Sequence, residues 1–173
     1  MSAVVKIRAE RPGDVAAIDA VNRAAFNQPN EATLVVLLRE QASPVVSLVA
    51  ETDWELVGHV LFSPVTLTGH ADAAIMGLAP MAVVPAVQRR GVGSMLIRAG
   101  LDACARLGCD AVVVLGHAQY YPRFGFSPAS AFGLRCEYDV PDEVFMALEL
   151  QLGRLTGKSG TIRYHAAFAQ VGA

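Results

Sequence analysis

The residues best able to do chemistry stand between Gln88 and Phe126. Gln88-Arg89-Arg90-Gly91-Val92-Gly93-Ser94 puts two arginines and two glycines where an amphipathic helix should begin. Such a segment suits an anion. The first N–H groups of a helix have no partner within it, and the macrodipole favours negative charge there. Further on, Tyr120-Tyr121-Pro122-Arg123-Phe124-Gly125-Phe126 sets two phenols ahead of a glycine able to end a short helical turn. A phenol with a pKa of about 10 is protonated at neutral pH and can donate to a departing anion.

These segments need a scaffold. Residues 4–9 read as a strand, and Pro12 and Asp14 open a helix whose apolar positions are Val15, Ile18, Val21, Ala25 and Phe26. After a break at residues 26–29, Asn30 is placed to cap a second helix running to about residue 41. Three strands follow at residues 45–51, 56–67 and 75–84, with Pro64 expected to bend the middle one. The helix after the glycine turn carries a stripe of Val92, Leu96, Ala99, Ala103 and Leu107, closed by Gly108. Residues 111–115 are apolar on both faces, as a central strand should be. Later strands are expected at 144–150 and 161–165. The order is antiparallel strands, glycine turn, helix, then a parallel strand.

Composition narrows the partners. A chain of 173 residues with 53% hydrophobic content is read as one domain spanning 1–173. Mean hydropathy is high at +0.39, yet no apolar run approaches the roughly 18 residues that span a bilayer, so no membrane partner is expected. The first residues are charged where a signal peptide would be apolar, which makes a cytoplasmic protein the default. A net charge of −2 argues against a nucleic-acid partner. Three cysteines, without a C-x-x-C pair, argue against a disulfide framework and a metal site.

The glycine turn has three readings. A dinucleotide site wants a third glycine where Leu96 stands, and a P-loop wants Gly-Lys-Ser/Thr where Gly93-Ser94-Met95 stands. The third is a coenzyme A site. Gln88 to Gly93, following the strand Leu78-Ala79-Pro80-Met81-Ala82-Val83-Val84-Pro85, resembles the Gln/Arg-x-x-Gly-x-Gly motif of the GCN5-related N-acetyltransferases. Outer segments resemble the YhbS-like branch of that family: Gly58-His59-Val60-Leu61-Phe62-Ser63-Pro64-Val65, Val114-Leu115-Gly116-His117, and Tyr120 to Phe126.

The resemblance implies an α/β (α+β) fold: a mixed, mostly antiparallel sheet with a splayed central parallel pair and flanking helices. It implies acetyl transfer from acetyl-CoA to an amine by direct attack in a ternary complex. Gln88, Arg89, Arg90, Gly91, Val92, Gly93 and Ser94 would hold the pyrophosphate. The backbone of Met81, Ala82 and Val83 would hold the pantetheine arm and polarise the acetyl carbonyl. Tyr121, four residues before Gly125, would protonate the leaving thiolate, with Tyr120 as its competitor. Glu31, Glu51, His59, His117, Glu137 or water could serve as general base, and nothing in the residues chooses among them. Two other readings stay open: a non-catalytic acyl-CoA-binding sensor, and a nucleotide or phosphometabolite binder using the same turn. The acceptor is an amine of unspecified kind, and the chain is expected to be a monomer or homodimer.

Overall fold

Alternating and helical periodicities resolve into nine strands and four helices within residues 4–172, the residues described by the computed structural model. Residues 1–3 and 173 of the expected domain lie outside the described residues. Strand β1 (Lys6–Ala9) leads through a turn of 3-10 helix into α1 (Val15–Phe26) and α2 (Asn30–Gln41). The meander β2 (Val46–Glu51), β3 (Leu56–Leu67) and β4 (Ile75–Val83) follows, then α3 (Val92–Arg106) and β5 (Ala111–Leu115). The remainder supplies β6 (Ser127–Pro128), β7 (Leu134–Cys136), β8 (Phe145–Glu149), β9 (Gly160–Arg163) and α4 (Ala166–Gln170). The main sheet runs β1-β2-β3-β4-β5-β8-β6, while β9 pairs with the far end of β3 and with β7. All its neighbouring pairs are antiparallel except β4–β5, the expected mixed architecture.

Local chemistry explains the first turns. Arg8 grips the Asp14 carboxylate through two hydrogen bonds of 2.7 and 3.0 Å, and the Arg11 N–H adds a third at 2.7 Å. These bonds, Arg8 foremost and against the pull of burial, hold the Asp14 carboxyl down to about 2. Asn27 takes the left-handed conformation that ends α1. Asn30 does not cap α2 with its side chain, contrary to expectation. Pro29 holds the cap position, and Asn30 Nδ2 donates instead to the Val171 carbonyl, tying α2 to the C-terminal segment.

Two further expectations are revised. The buried face of α3 is Val92, Leu96, Ile97, Gly100 and Cys104; Ala99 and Ala103 are half-buried, and Leu107 is 53% exposed. The stripe turns toward Gly100 because that glycine admits the Phe62 ring: a Cβ there would lie 2.1 Å from Phe62 Cε1. Pro64 causes no bulge, since the β2 pairing ends at Phe62 and leaves one side of the strand there without a ladder. The irregularity lies across the ladder on β4, where Ala79 and Pro80 together oppose Leu61 between the pairs Val60–Met81 and Phe62–Leu78.

The sheet is covered on both faces. Leu96 and Ile97 of α3 pack with Val60, Phe62, Val112 and Val114, all essentially inaccessible to solvent. Elsewhere, α1 and α2 set Ile18 and Val35 against Val49, and Leu34 and Leu38 against Leu61. Each such side chain contributes roughly 1.5–3 kcal/mol on leaving water.

Candidate functional site

The central parallel pair is short. Ile75, Met76 and Gly77 pair with Ala111, Val112 and Val113, and the ladder stops there. Beyond it, β4 continues to Val83 bonded only to β3, and β5 continues to Leu115 bonded only to β8. A wedge therefore opens between the two strands, and the inner edge of β4 offers main-chain groups to a ligand.

The glycine turn lies at the end of that edge. Gln88 Nε2 donates to the Val83 carbonyl at 2.8 Å, which pins the turn to β4. Arg89 has φ +64 and Gly91 φ +84, so left-handed residues alternate with ordinary ones. That alternation aims successive N–H groups inward as an anion nest. A left-handed arginine costs about 1–3 kcal/mol of strain, which points to a functional constraint at this position. The two glycines serve different ends. A Cβ on Gly91 would meet nothing within 4 Å, so that residue is required for its φ alone. A Cβ on Gly93 would lie 3.3 Å from both Tyr120 Oη and Met81 Cε, so a side chain there would crowd both. The first bond of α3 runs from Met95 N to Gly91 O at 3.0 Å, leaving the N–H groups ahead of it free.

A cleft of about 590 Å³ joins these parts. Met81, Val83, Gln88, Arg89, Gly91, Val92, Gly93 and Ser94 all line it. Ala82, Arg90 and the expected proton donor Tyr121 do not: Ala82 faces the other side of the sheet and is 1% exposed, Arg90 is exposed beyond the rim, and Tyr121 is packed in the core. Four lining residues, Ala25, Phe26, Val87 and Arg123, had no site assignment from the sequence. Ala25 and Phe26, from the end of α1, form one wall, and Arg123 places its guanidinium 4.7 Å from the centre of the Tyr120 ring. Arg123 follows Tyr120 by three residues, a spacing that shares one side of a helical turn and so could have flagged it.

The two tyrosines diverge as a helical turn requires. Tyr120 lines the phosphate end of the cleft, and its hydroxyl lies 3.2 Å from Ser94 Oγ. Tyr121 is 8% exposed and lies beneath the end of β5: a Cβ on Gly116 would come within 2.2 Å of its ring. Phe126 packs edge-on against it at 5.7 Å. Burial, with a smaller contribution from Tyr120, pushes the Tyr121 phenol up to about 12, so it stays protonated across the physiological range.

Most expected bases are already engaged. His59 is fully buried: Nδ1 lies 3.2 Å from Asn22 Nδ2, and Nε2 lies 2.9 Å from Ser47 Oγ. Ser47 donates to Glu10 at 2.6 Å, and Arg39 donates to Glu10 through two bonds of 2.8 and 3.0 Å. Burial pushes the imidazole down to about 4, so His59 is neutral and structural in this setting. Burial alone would raise the Glu10 carboxyl, but hydrogen bonds from Arg39 and Ser47 outweigh it and hold it below its usual range. Glu51 pairs with Arg8 at 3.0 Å, Glu31 accepts from Gln28 at 2.8 Å, and Glu137 accepts from the Tyr164 N–H. His117 is exposed. Burial raises the Cys104 thiol to about 12, which removes it as a nucleophile.

A wedge between parallel strands, ending in an anion nest at a helix start, defines a protein that binds a long phosphorylated cofactor along a strand edge. Comparison with known proteins gives the class. Residues 15–126 match the profile of the Acetyltransferase (GNAT) family. The uncharacterized N-acetyltransferase YjhQ of Escherichia coli K12 is 42% identical over 153 residues, covering 83% of this chain and 84% of its own. The uncharacterized N-acetyltransferase YhbS of the same strain is 38% identical over 163 residues, covering 94% and 97%. A crystal structure of E. coli YhbS in complex with CoA superimposes with a TM-score of 0.91 at 36% identity, over 98% of this chain and 94% of that one. A GNAT-family acetyltransferase from Brucella melitensis in complex with acetyl-CoA does so with a TM-score of 0.79 at 36% identity, over 96% and 99%. The chain belongs to the GNAT family of acetyl-CoA-dependent acyltransferases.

Proposed function

We propose that this protein is a cytoplasmic, single-domain N-acetyltransferase that moves the acetyl group of acetyl-CoA directly to an amine. The observation that carries this reading is the parting of β4 from β5 after Gly77 and Val113, in line with the left-handed Arg89–Gly91 turn. It supplies a strand edge for the pantetheine amides and a nest for the pyrophosphate in one continuous cleft. The three free thiols Cys104, Cys109 and Cys136 suit a reducing compartment.

The residues divide the work. The N–H groups from Arg89 to Ser94 hold the pyrophosphate, with Arg89 and Arg123 adding charge. The edge of Met81, Ala82 and Val83 aligns the pantetheine arm and directs an N–H at the thioester oxygen, which stabilises charge developing there. Alignment of amine and thioester converts a bimolecular attack into an intramolecular one. Tyr121 lies under Gly116, at the β5 side of the wedge, and donates its proton to the departing sulfur. Tyr120, at the Ser94 end, contacts the phosphate arm. Exposed His117 or water accepts the ammonium proton, since the carboxylates and His59 are held by other groups. The Cys104 thiol, raised by burial, gives no support to a covalent intermediate.

Two measurements test this. Calorimetric titration with coenzyme A, NAD and ATP should show binding of coenzyme A alone. Thiol release from acetyl-CoA should then depend on an added amine. Tight NAD or ATP binding, or coenzyme A binding without release for any amine tried, would overturn the assignment.

A further inference from the structure

A second cavity of about 330 Å³ lies beside the wedge, away from the glycine turn. Leu78 and Ala79, the two residues of β4 just past its last pairing with β5, form one side, and Leu115, the last residue of β5, forms another. The remaining wall is Val140 and three aromatic rings. Tyr164 lies face to face with Tyr138 at 5.8 Å and 27°, and tilts against Phe168 at 5.1 Å. The Tyr164 ring is seated on Gly77, where a Cβ would come within 3.1 Å of Cε1, so the cluster is anchored at the point where the strands separate. Every residue lining this cavity is uncharged. Of the two carboxylates flanking Tyr138 in sequence, Glu137 is taken up by the Tyr164 N–H, and Asp139 lines a different cavity. The Tyr164 hydroxyl is itself buried without a hydrogen-bond partner.

We infer that this cavity is the acceptor subsite and that the acceptor is a primary amine carried on a ring-sized apolar group, an arylalkylamine or a compound of that shape. The inference rests on the acetyl-transfer reading above and specifies its substrate class. An amine entering here meets the thioester through the gap between Ala79 and Leu115. Its apolar body contacts Leu78 and the three rings, replacing water on both surfaces. A polyamine or aminoglycoside would bring further ammonium groups among side chains that offer no carboxylate, which disfavours binding. The reaction balances without a co-reactant: the amine nitrogen bonds to the acetyl carbon, the carbon–sulfur bond breaks, one amine proton passes to solvent, Tyr121 protonates the sulfur, and solvent returns a proton to the Tyr121 phenolate.

The test compares phenethylamine, tryptamine, spermidine and kanamycin by acetyl-CoA-dependent thiol release. Phenethylamine binding to the full chain saturated with coenzyme A is measured separately by calorimetry. The expected result is a kcat/KM for the aromatic amines at least about tenfold above that for spermidine. Leu115→Glu, a change at a 37% exposed strand end, should lower that ratio by about tenfold while leaving coenzyme A affinity unchanged. Preference for spermidine or kanamycin would overturn the inference. So would an unchanged ratio in Leu115→Glu, or better use of hexanoyl-CoA than acetyl-CoA, which would assign the cavity to the donor's acyl chain. Phenethylamine binding without thiol release would leave the subsite standing and remove the transferase reading. Thiol release without phenethylamine binding would do the reverse, and absence of both would remove both.

Discussion

The Tyr120 hydroxyl lies 3.2 Å from Ser94 Oγ, at the start of α3, while the next residue, Tyr121, lies under Gly116 at the end of β5. Of the consecutive phenols, only Tyr120 lines the cleft, while Tyr121 is packed in the core beneath β5. Tyr121→Phe should lower kcat by about 100-fold with little change in coenzyme A affinity, the signature of a lost proton donor. Tyr120→Phe should instead weaken coenzyme A binding severalfold, through the roughly 1 kcal/mol of one hydrogen bond, and spare kcat. Steady-state kinetics with calorimetric affinities separates them. Full turnover in Tyr121→Phe would remove the acid role.

The two glycines of the turn should fail differently. Gly91→Ala meets no atom within 4 Å but must hold φ +84, at a cost of about 1–2 kcal/mol. The turn is then expected to relax, weakening coenzyme A about tenfold. Gly93→Ala keeps its helical backbone but pushes a methyl toward Tyr120 Oη and Met81 Cε, each 3.3 Å away. It should weaken coenzyme A with Tm unchanged. Equal effects of the two on both readouts would contradict this division.

Gly100 answers to packing rather than conformation. Gly100→Ala drives a methyl to 2.1 Å from the fully buried Phe62 ring, so α3 must lift or the ring must move. Overpacking of this kind costs about 1–3 kcal/mol or more. For a chain of this size each kcal/mol shifts Tm by roughly 2–4 °C. Scanning calorimetry should show that loss, and Phe62→Leu in the same background should restore part of it.

Stability should fall as pH drops below neutrality. His59 titrates near 4 when folded, against about 6.5 when unfolded, so the unfolded chain binds the extra proton in between. Stability is therefore full above about pH 6.5 and declines through pH 4, by roughly 3 kcal/mol at most from this group. Asp14, held near 2, adds a second loss that begins as the pH falls below about 4. Denaturant midpoints from pH 7 to 4 measure the first loss. His59→Gln should flatten that segment, and an unchanged slope would remove His59 as its source.

Much of the fold follows from local rules. Strand alternation, the Pro12–Asp14 helix start, the αL residues at Asn27, Gly91 and Gly125 and the α3 boundaries are written in short stretches of chain. Elements too short to show a period, such as β6, β7 and α4, escaped notice. So did the turn of the α3 stripe toward Gly100, because an absent side chain reads as neutral until the Phe62 ring that needs the space is known.

The site divides along the same line. By itself the sequence determined the anion turn and its family, since glycine and arginine act there through their own backbone and charge. It also named both tyrosines. Only the tertiary structure decided that Tyr120 lines the cleft while Tyr121 is buried beneath β5, that Ala82 and Arg90 stand off the lining, and that His59 is locked in a buried network. It alone assembled Leu78, Leu115, Tyr138, Tyr164 and Phe168, drawn from four separate parts of the chain, around one cavity. The reason is physical: a turn is specified by neighbours in sequence, whereas a pocket is specified by surfaces that meet only after β4 and β5 have parted.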